Sequence, residues 1–303
     1  MQRRDWLYED QECGGGIYIM KIINLMEDTQ GENQVYAEHG FSIYIETPHH
    51  RLLADTGASE KTWENAKRLG VDLGSIDLVF LSHGHYDHSG GILSFAEQNP
   101  DARIYMHVRA ARDYYNLKDG REKYIGIDPR IQQLPQVVLL EGDCEIDPEL
   151  SIFSGVTGRR KWPKSNLTLK RKTEDGFVQD SFDHEQYLVV KAEGKTVLIS
   201  GCAHNGILNI LDRFRELYGC DPDMVISGFH MMKKTGYEAD EAELIRDAAK
   251  ELRGMDTRFY TGHCTGIPAF EMMREIMGEQ IRYMHSGDRV VIPNTKVKIW
   301  AAI

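Results

Sequence analysis

The sequence predicts an α/β protein whose two β-rich halves, before and after about residue 150, fit a duplicated sandwich. Short apolar strands alternate with amphipathic helical runs in both halves, and several of these strands run straight into histidine-bearing loops. No repeat or low-complexity linker divides the 303 residues. With 41% hydrophobic and 27% charged residues, the chain has the balance of a globular protein with a substantial core, and one domain over residues 20–303 is expected.

The formal charge of −11 and pI near 5.6 argue against a general nucleic-acid binder, which needs a basic surface. The five cysteines (Cys13, Cys144, Cys202, Cys220, Cys264) are odd in number and lack C-x-x-C spacing, so a disulfide framework is not expected and a reducing cytoplasm is the simplest location. Residues 1–19, with Arg3 and Arg4 interrupted by acids and Gly14-Gly15-Gly16 near their end, form no secretory h-region and read as a poorly ordered extension. No run of about 20 apolar residues could span a membrane.

Taken in order, Lys21–Met26, Phe41–Glu46 and Arg51–Ala54 read as strands, the last leading into Asp55-Thr56-Gly57. Ser59 can cap a helix reaching Leu69, with Trp63, Ala66 and Leu69 three apart and Gly70 as its stop. Asp77–Leu81 is a short apolar strand that delivers His83-Gly84-His85-Tyr86-Asp87-His88-Ser89-Gly90-Gly91, followed by the helical run Ile92–Ala96. Arg103–Val108 alternates as a strand, with His107 left outside the site. The charged and aromatic stretch 109–136 reads as a helical insertion or lid. Val137–Leu140 and Leu150–Val156 return to strand character, and 157–182 is a second insertion. The hairpin Glu185–Ser200 turns at Glu193-Gly194 and ends in Gly201-Cys202-Ala203-His204, ahead of a helix with Ile207, Ile210, Leu211 and Phe214 on one face. Asp223–Ser227 leads to His230, a helix follows over Asp240–Arg253, and Thr257–Tyr260 leads to His263. Pro268 opens the last helix, and Ile281–Met284, Arg289–Ile292 and Val297–Trp300 close the chain as strands.

The His83–Gly91 string places three histidines and an aspartate within six positions on the loop leaving a strand, where sites are commonly carried. His83 and His85 are two apart and project to one side of extended backbone, so they can share an ion. Imidazoles suit zinc, iron and other first-row metals, and the carboxylate adds a hard oxygen. Four ligands so close exceed one open tetrahedral site, which points to two adjacent ions. Asp87 can also take a proton there. The basic stretch Arg159, Arg160, Lys161 and Lys164 is either a solvated loop or a funnel for an anionic substrate.

This string in its context resembles the metallo-β-lactamase superfamily, which implies a four-layered αββα sandwich with one or two metals at one edge of the sheets. The resemblance makes Asp55 the carboxylate that orients a ligating histidine, and His263 the last ligand. It also puts Cys202 where many members carry a metal-bridging aspartate; Cys202 is there either a thiolate ligand or an inert buried thiol. The ion sets implied are His83, His85 and His204 for one, and Asp87, His88 and His263 for the other. Zinc is the leading metal, with iron or manganese as alternatives. His230, surplus to six ligands, is left to face substrate and to donate a proton.

Segments Ser82–Gly91, Gly201–Ile210, Gly228–His230 and Gly262–Gly266 resemble a narrower branch of metal-dependent hydrolases. That branch includes the archaeal synthase joining a dihydropterin to ribofuranosylaminobenzene 5′-phosphate. The resemblance implies an enzyme acting on a phosphorylated or anionic small molecule, by hydrolysis or by diphosphate-releasing transfer. The alternative from another class is a metal-binding or redox sensor protein without turnover.

Overall fold

The structure, a computed structural model, describes residues 18–31 and 34–293. The expected extension falls outside it up to residue 17, as does the expected strand Val297–Trp300. Two mixed sheets of seven strands stack face to face. The first contains β1 (Tyr18–Met26), β2 (Ser42–Glu46), β3 (Arg51–Ala54), β4 (Leu78–Phe80), β5 (Arg103–His107), β8 (Val137–Leu140) and β18 (Arg289–Pro293). Their spatial order is β18-β1-β2-β3-β4-β5-β8, antiparallel as far as β3 and parallel from there on.

The second sheet contains β9 (Cys144–Glu145), β10 (Leu150–Phe153), β13 (Tyr187–Ala192), β14 (Lys195–Ile199), β15 (Met224–Ile226), β16 (Arg258–Thr261) and β17 (Ile281–Tyr283). Its order β17-β16-β15-β14-β13-β10-β9 repeats the design, parallel on one side of β14 and antiparallel on the other. Central strands alternate between two apolar layers because both faces of each sheet are covered. Leu52 and Phe80 of one sheet and Val197 and Ile199 of the other meet between the sheets.

Leu53 and Val79 instead face α1 (Lys61–Arg68) and α3 (Ile92–Gln98), where Trp63, Ala66 and Phe95 are buried. On the opposite side Leu198 and Val225 pack under α4 (Ile207–Tyr218), α5 (Ala239–Arg253) and α6 (Ile267–Met277). This is the αββα sandwich expected. α1 begins after Glu60, with no side-chain cap; the Ser59 hydroxyl accepts only a weak 3.3 Å bond from the Lys61 N–H.

The stretch 109–136 is not helical. It holds a hairpin, β6 (Tyr114–Lys118) and β7 (Arg121–Tyr124), turned through Asp119-Gly120 with both residues at positive φ. β11 (Leu169–Thr173) and β12 (Gly176–Gln179), from the second insertion, pair with it in the order β12-β11-β6-β7. The two insertions therefore form one small antiparallel sheet, with Tyr114, Ile125, Leu169 and Phe182 packed together beneath it. Lys118, Arg121, Glu122, Lys123 and Lys172 hold most of the strand positions that water reaches, with Tyr124, Val178 and Gln179 the others, so the strands carry no clean apolar alternation.

Candidate metal centre

The parallel strands determine where the chemistry falls, because strands that share a direction deliver their following loops to one edge. β3 is followed by Asp55, and β4 by His83, His85 and the one-turn helix α2 (Tyr86–Ser89) carrying Asp87 and His88. β14, β15 and β16 lead to Cys202 with His204, to His230 and to His263. Two glycines permit the close approach. A Cβ on Gly84 would sit 2.1 Å from the Ala110 carbonyl oxygen, and one on Gly201 would sit 2.2 Å from Ser82 Oγ.

His83, His85 and His204 form one group and Asp87, His88, Cys202 and His263 another, with ligating atoms in each within 4.8 Å of one another. His83 Nε2 lies 3.0 Å from His85 Nδ1 and 3.3 Å from His204 Nε2. Nitrogens bound tetrahedrally at zinc distances would be about 3.3 Å apart. In the second group Asp87 Oδ2 is 3.6 Å from His88 Nε2 and 3.4 Å from His263 Nε2.

The far nitrogen of each Nε2 ligand is anchored. His88 Nδ1–H donates to Asp55 Oδ2 at 2.6 Å, and His263 Nδ1–H donates to Asp28 Oδ1 at 2.6 Å. His83 Nδ1 meets Ser82 Oγ at 2.9 Å, and His204 Nδ1 meets Asn166 Oδ1 at 2.9 Å. A proton held at Nδ1 leaves the Nε2 lone pair aimed into the site. His263 Nε2 is buried without a hydrogen-bond partner, the condition expected of an atom that meets a cation. The residues present therefore fit two divalent ions.

Electrostatics agree for the first group. Burial, reinforced by the neighbouring imidazoles, holds His83 and His204 well below the usual histidine range, and burial with the nearby His184 lowers His85 to about 3. They are neutral at pH 7, as ligation requires. His263 runs the other way in the metal-free state: burial opposes its charge, but Asp28 and Asp87 raise its pKa well above the ordinary value. An ion entering there must displace a proton.

Cys202 Sγ lies 3.2 Å from His88 Nε2 and groups with His204 and His230 as well as with the second ligand set. It thus stands between the two groups. Burial pushes its thiol up, with Cys264 and Asp87 adding to the effect, so without metal it is a neutral thiol.

Around this core lies a pocket of about 510 Å³, whose lining includes His85, Asp87, Cys202, His204 and His230. Of the four basic residues expected at an anion funnel, only Lys164 lines it, and Lys164 pairs with Asp240. Arg160 pairs with Asp212 and Glu251 and Lys161 with Asp247, charges on α4 and α5, while Arg159 lies over the Trp162 ring. The run of positive charge is spent on neighbouring helices.

Several site residues carry no sequence signal. Asp28 holds both His263 and His39, and His39 Nε2 reaches Asp87 Oδ2 at 3.4 Å from the pocket side. His184 accepts from the Gly84 N–H and meets Asp180, bracing the His83–His85 turn from behind. Glu185 accepts from the backbone N–H groups of His204 and Asn205. Only the acidic pair Glu27-Asp28 directly after the first strand was a usable hint.

Comparison with known proteins agrees with this geometry. The metallo-β-lactamase superfamily model matches residues 35–158. A solved metal-dependent hydrolase of the β-lactamase superfamily is 30% identical, with a TM-score of 0.75 over 91% of this chain and 100% of that one. The chain belongs to the metallo-β-lactamase superfamily. Among curated proteins, 7,8-dihydropterin-6-methyl-4-(β-D-ribofuranosyl)-aminobenzene-5′-phosphate synthase of Methanocaldococcus jannaschii is 28% identical over 90% of this chain and 97% of its own length. Zinc-bound PqqB of Methylobacterium extorquens, 14% identical with a TM-score of 0.51 over 89% of this chain and 99% of that one, shares the fold. The metallo-β-lactamase fold implies divalent metal binding, and the two clusters are its candidate ligands here.

Removing the anchor at Asp55 tests how the site is held. Asp55 also accepts from the Ser82 N–H and hydroxyl, both at 2.7 Å, so Asp55→Ala frees three donors at once. Metal affinity is expected to fall by about 10–100-fold, the usual cost of losing a carboxylate behind a ligating histidine. Equilibrium dialysis against a chelator reads it, and an unchanged affinity would remove Asp55 from this role.

Proposed function

We propose that this superfamily member is a zinc-dependent enzyme acting on a phosphorylated or otherwise anionic small molecule, by hydrolysis or by diphosphate-releasing transfer. The observation that carries the reading is a 510 Å³ pocket with a lysine-bearing wall that opens onto members of both candidate ligand clusters, His85 and His204 of one and Asp87 and Cys202 of the other. The likeness to the pterin-related synthase supports an anionic substrate with an aromatic portion. When bound, the ions would supply Lewis acidity and acidify a water molecule into the neutral range.

The chain's own residues would do the rest. Asp87 opens onto the pocket and sits on His88 and His263; those contacts overcome burial and keep its carboxyl well below the usual range, so it is an anion at neutral pH, the form in which a carboxylate holds a cation. His230 lines the same pocket, its ring 4.1 Å from that of His204, with Nδ1 buried and unpartnered. Its positive φ of 49° and a backbone N–H bonded to Cys264 Sγ hold it in place. From there it can donate to a substrate oxygen or a leaving group.

The test is turnover by the metal-loaded protein on a panel of aryl phosphates, phosphodiesters and a pterin diphosphate, with His230→Ala alongside. The expected result is metal-dependent cleavage that falls about 10²-fold in the variant, the scale of one acid–base group, with metal content unchanged. Loss of metal with activity would make His230 a ligand. No turnover on the whole panel would favour a metal-binding protein without catalysis.

A further inference from the structure

The pocket differs chemically between floor and mouth. The floor is made by buried metal-ligand candidates, while the wall carries five lysines, Lys118, Lys123, Lys164, Lys233 and Lys234, against the acids Asp87 and Glu241. In a chain of net charge −11 this is a local reversal of sign. Lys164 and Lys233 are paired with Asp240 and Glu241, and Lys123 donates to the Tyr86 hydroxyl. Lys118 and Lys234 are exposed, and among the described residues neither side chain makes a hydrogen bond or ion pair. They come from separate elements, the tip of the β6–β7 hairpin and the loop after β15. That loop is fastened by the Tyr237 hydroxyl donating to the Met231 carbonyl. The rest of the lining is largely apolar, with Ile125, Leu169, Met231, Tyr237, Leu244 and Ile245 buried or half-buried in it.

We propose that the pocket takes a ligand with two separated anionic groups joined by an apolar body, one group at the metal ligands and the other at Lys118 and Lys234. This rests on the reading of the site as one that acts on an anionic small molecule, and it adds what lies at the far end of that molecule. A lone phosphate would occupy the floor and leave the apolar wall and the two free ammonium groups without a role. A cavity of 510 Å³ lies in the range that encloses a ring-containing ligand. The second anion, carboxylate or phosphate, is recognised by charge at the mouth, where flexible lysine stems can close on it.

The experiment is calorimetric titration of the metal-loaded protein with hydrolysis-resistant phosphonates in matched pairs. Phenylphosphonate is compared with 4-carboxyphenylphosphonate, and biphenylphosphonate with its distally carboxylated form, so each pair differs only in the second anion. In at least one pair the carboxylated member is expected to bind about tenfold more tightly, the sum of two partly exposed ion pairs. In the Lys118→Gln/Lys234→Gln variant that preference falls below about threefold, while the parent phosphonates and metal content stay unchanged. A charge-matched control outside the pocket, Lys67→Gln/Lys250→Gln, keeps the preference. No preference in either pair, or one that survives the double substitution, overturns the proposal and leaves the floor reading standing. Failure of the parent phosphonates to bind sinks both.

Discussion

Replacing His83 by alanine is expected to remove one equivalent of metal and to lower turnover by about 10³-fold or more. His83 Nε2 is the shared vertex of the first cluster, in contact with both His85 and His204, so without it two imidazoles face a vacancy and cannot hold an ion alone. The Lewis acidity lost is worth several kcal/mol, and about 1.4 kcal/mol corresponds to one decade in rate. The fold should survive, because the site is hung from strand ends while the core lies between the sheets. Circular dichroism, elemental analysis and steady-state rates on one preparation separate these effects. Native activity in a folded His83→Ala protein would rule out the first cluster as the seat of catalysis.

The second large effect is on stability, at Glu185. This carboxyl is buried and receives four donors: the N–H of His204 at 2.6 Å, the N–H and side-chain amide of Asn205 at 2.9 Å each, and the Tyr187 hydroxyl at 2.6 Å. Burial raises its pKa against the pull of those bonds, so it is an expensive group kept for its partners. Glu185→Ala leaves buried donors unsatisfied at about 1–3 kcal/mol each, and with partial relaxation the total should be about 4 kcal/mol. For a chain of this size that lowers the melting temperature by about 6 °C. Glu185→Gln keeps the shape and one acceptor oxygen and should fall between. Melting in the presence of a chelator isolates this effect from metal binding; an alanine variant that melts with the wild type would show that water replaces the carboxylate at no cost.

Both predictions turn on what was and was not legible in the chain. The His83–His88 ligands lie within six positions, and β3, β4, the β13–β14 hairpin and α4 carry the ordinary apolar periods, so fold and first ligands could be read locally. His204 and His263 follow strands in the same way as His88, which a linear pattern also shows. The anchors are different. Asp28 and His263 lie 235 residues apart, and His184 reaches Gly84 across 100 residues, contacts that exist only once the two sheets have closed; Glu185 and Asn166 act through the His204 backbone, which no pattern of residue types records. The β6–β7 hairpin was hidden because β7 is exposed along its whole length and so has no apolar face to alternate. The pocket lysines were hidden for a related reason: they come from four separate stretches of the chain, while Arg160 and Lys161 of the conspicuous cluster at 159–164 are paired with acids on α4 and α5.

The two ligand clusters, one on each side of Cys202, amount to a two-ion site beside the pocket. Its most direct measurement is elemental analysis of the chain purified without chelator, beside His263→Ala. Cys202, which burial keeps as a neutral thiol in the absence of metal, must lose a proton to serve the second ion, and this sets the expectation between one and two equivalents of zinc or a similar divalent metal per chain. His263→Ala should lower that value by no more than one. Purified protein free of divalent metal that also fails to take any up at neutral pH, or a His263→Ala variant retaining both ions, would contradict the account.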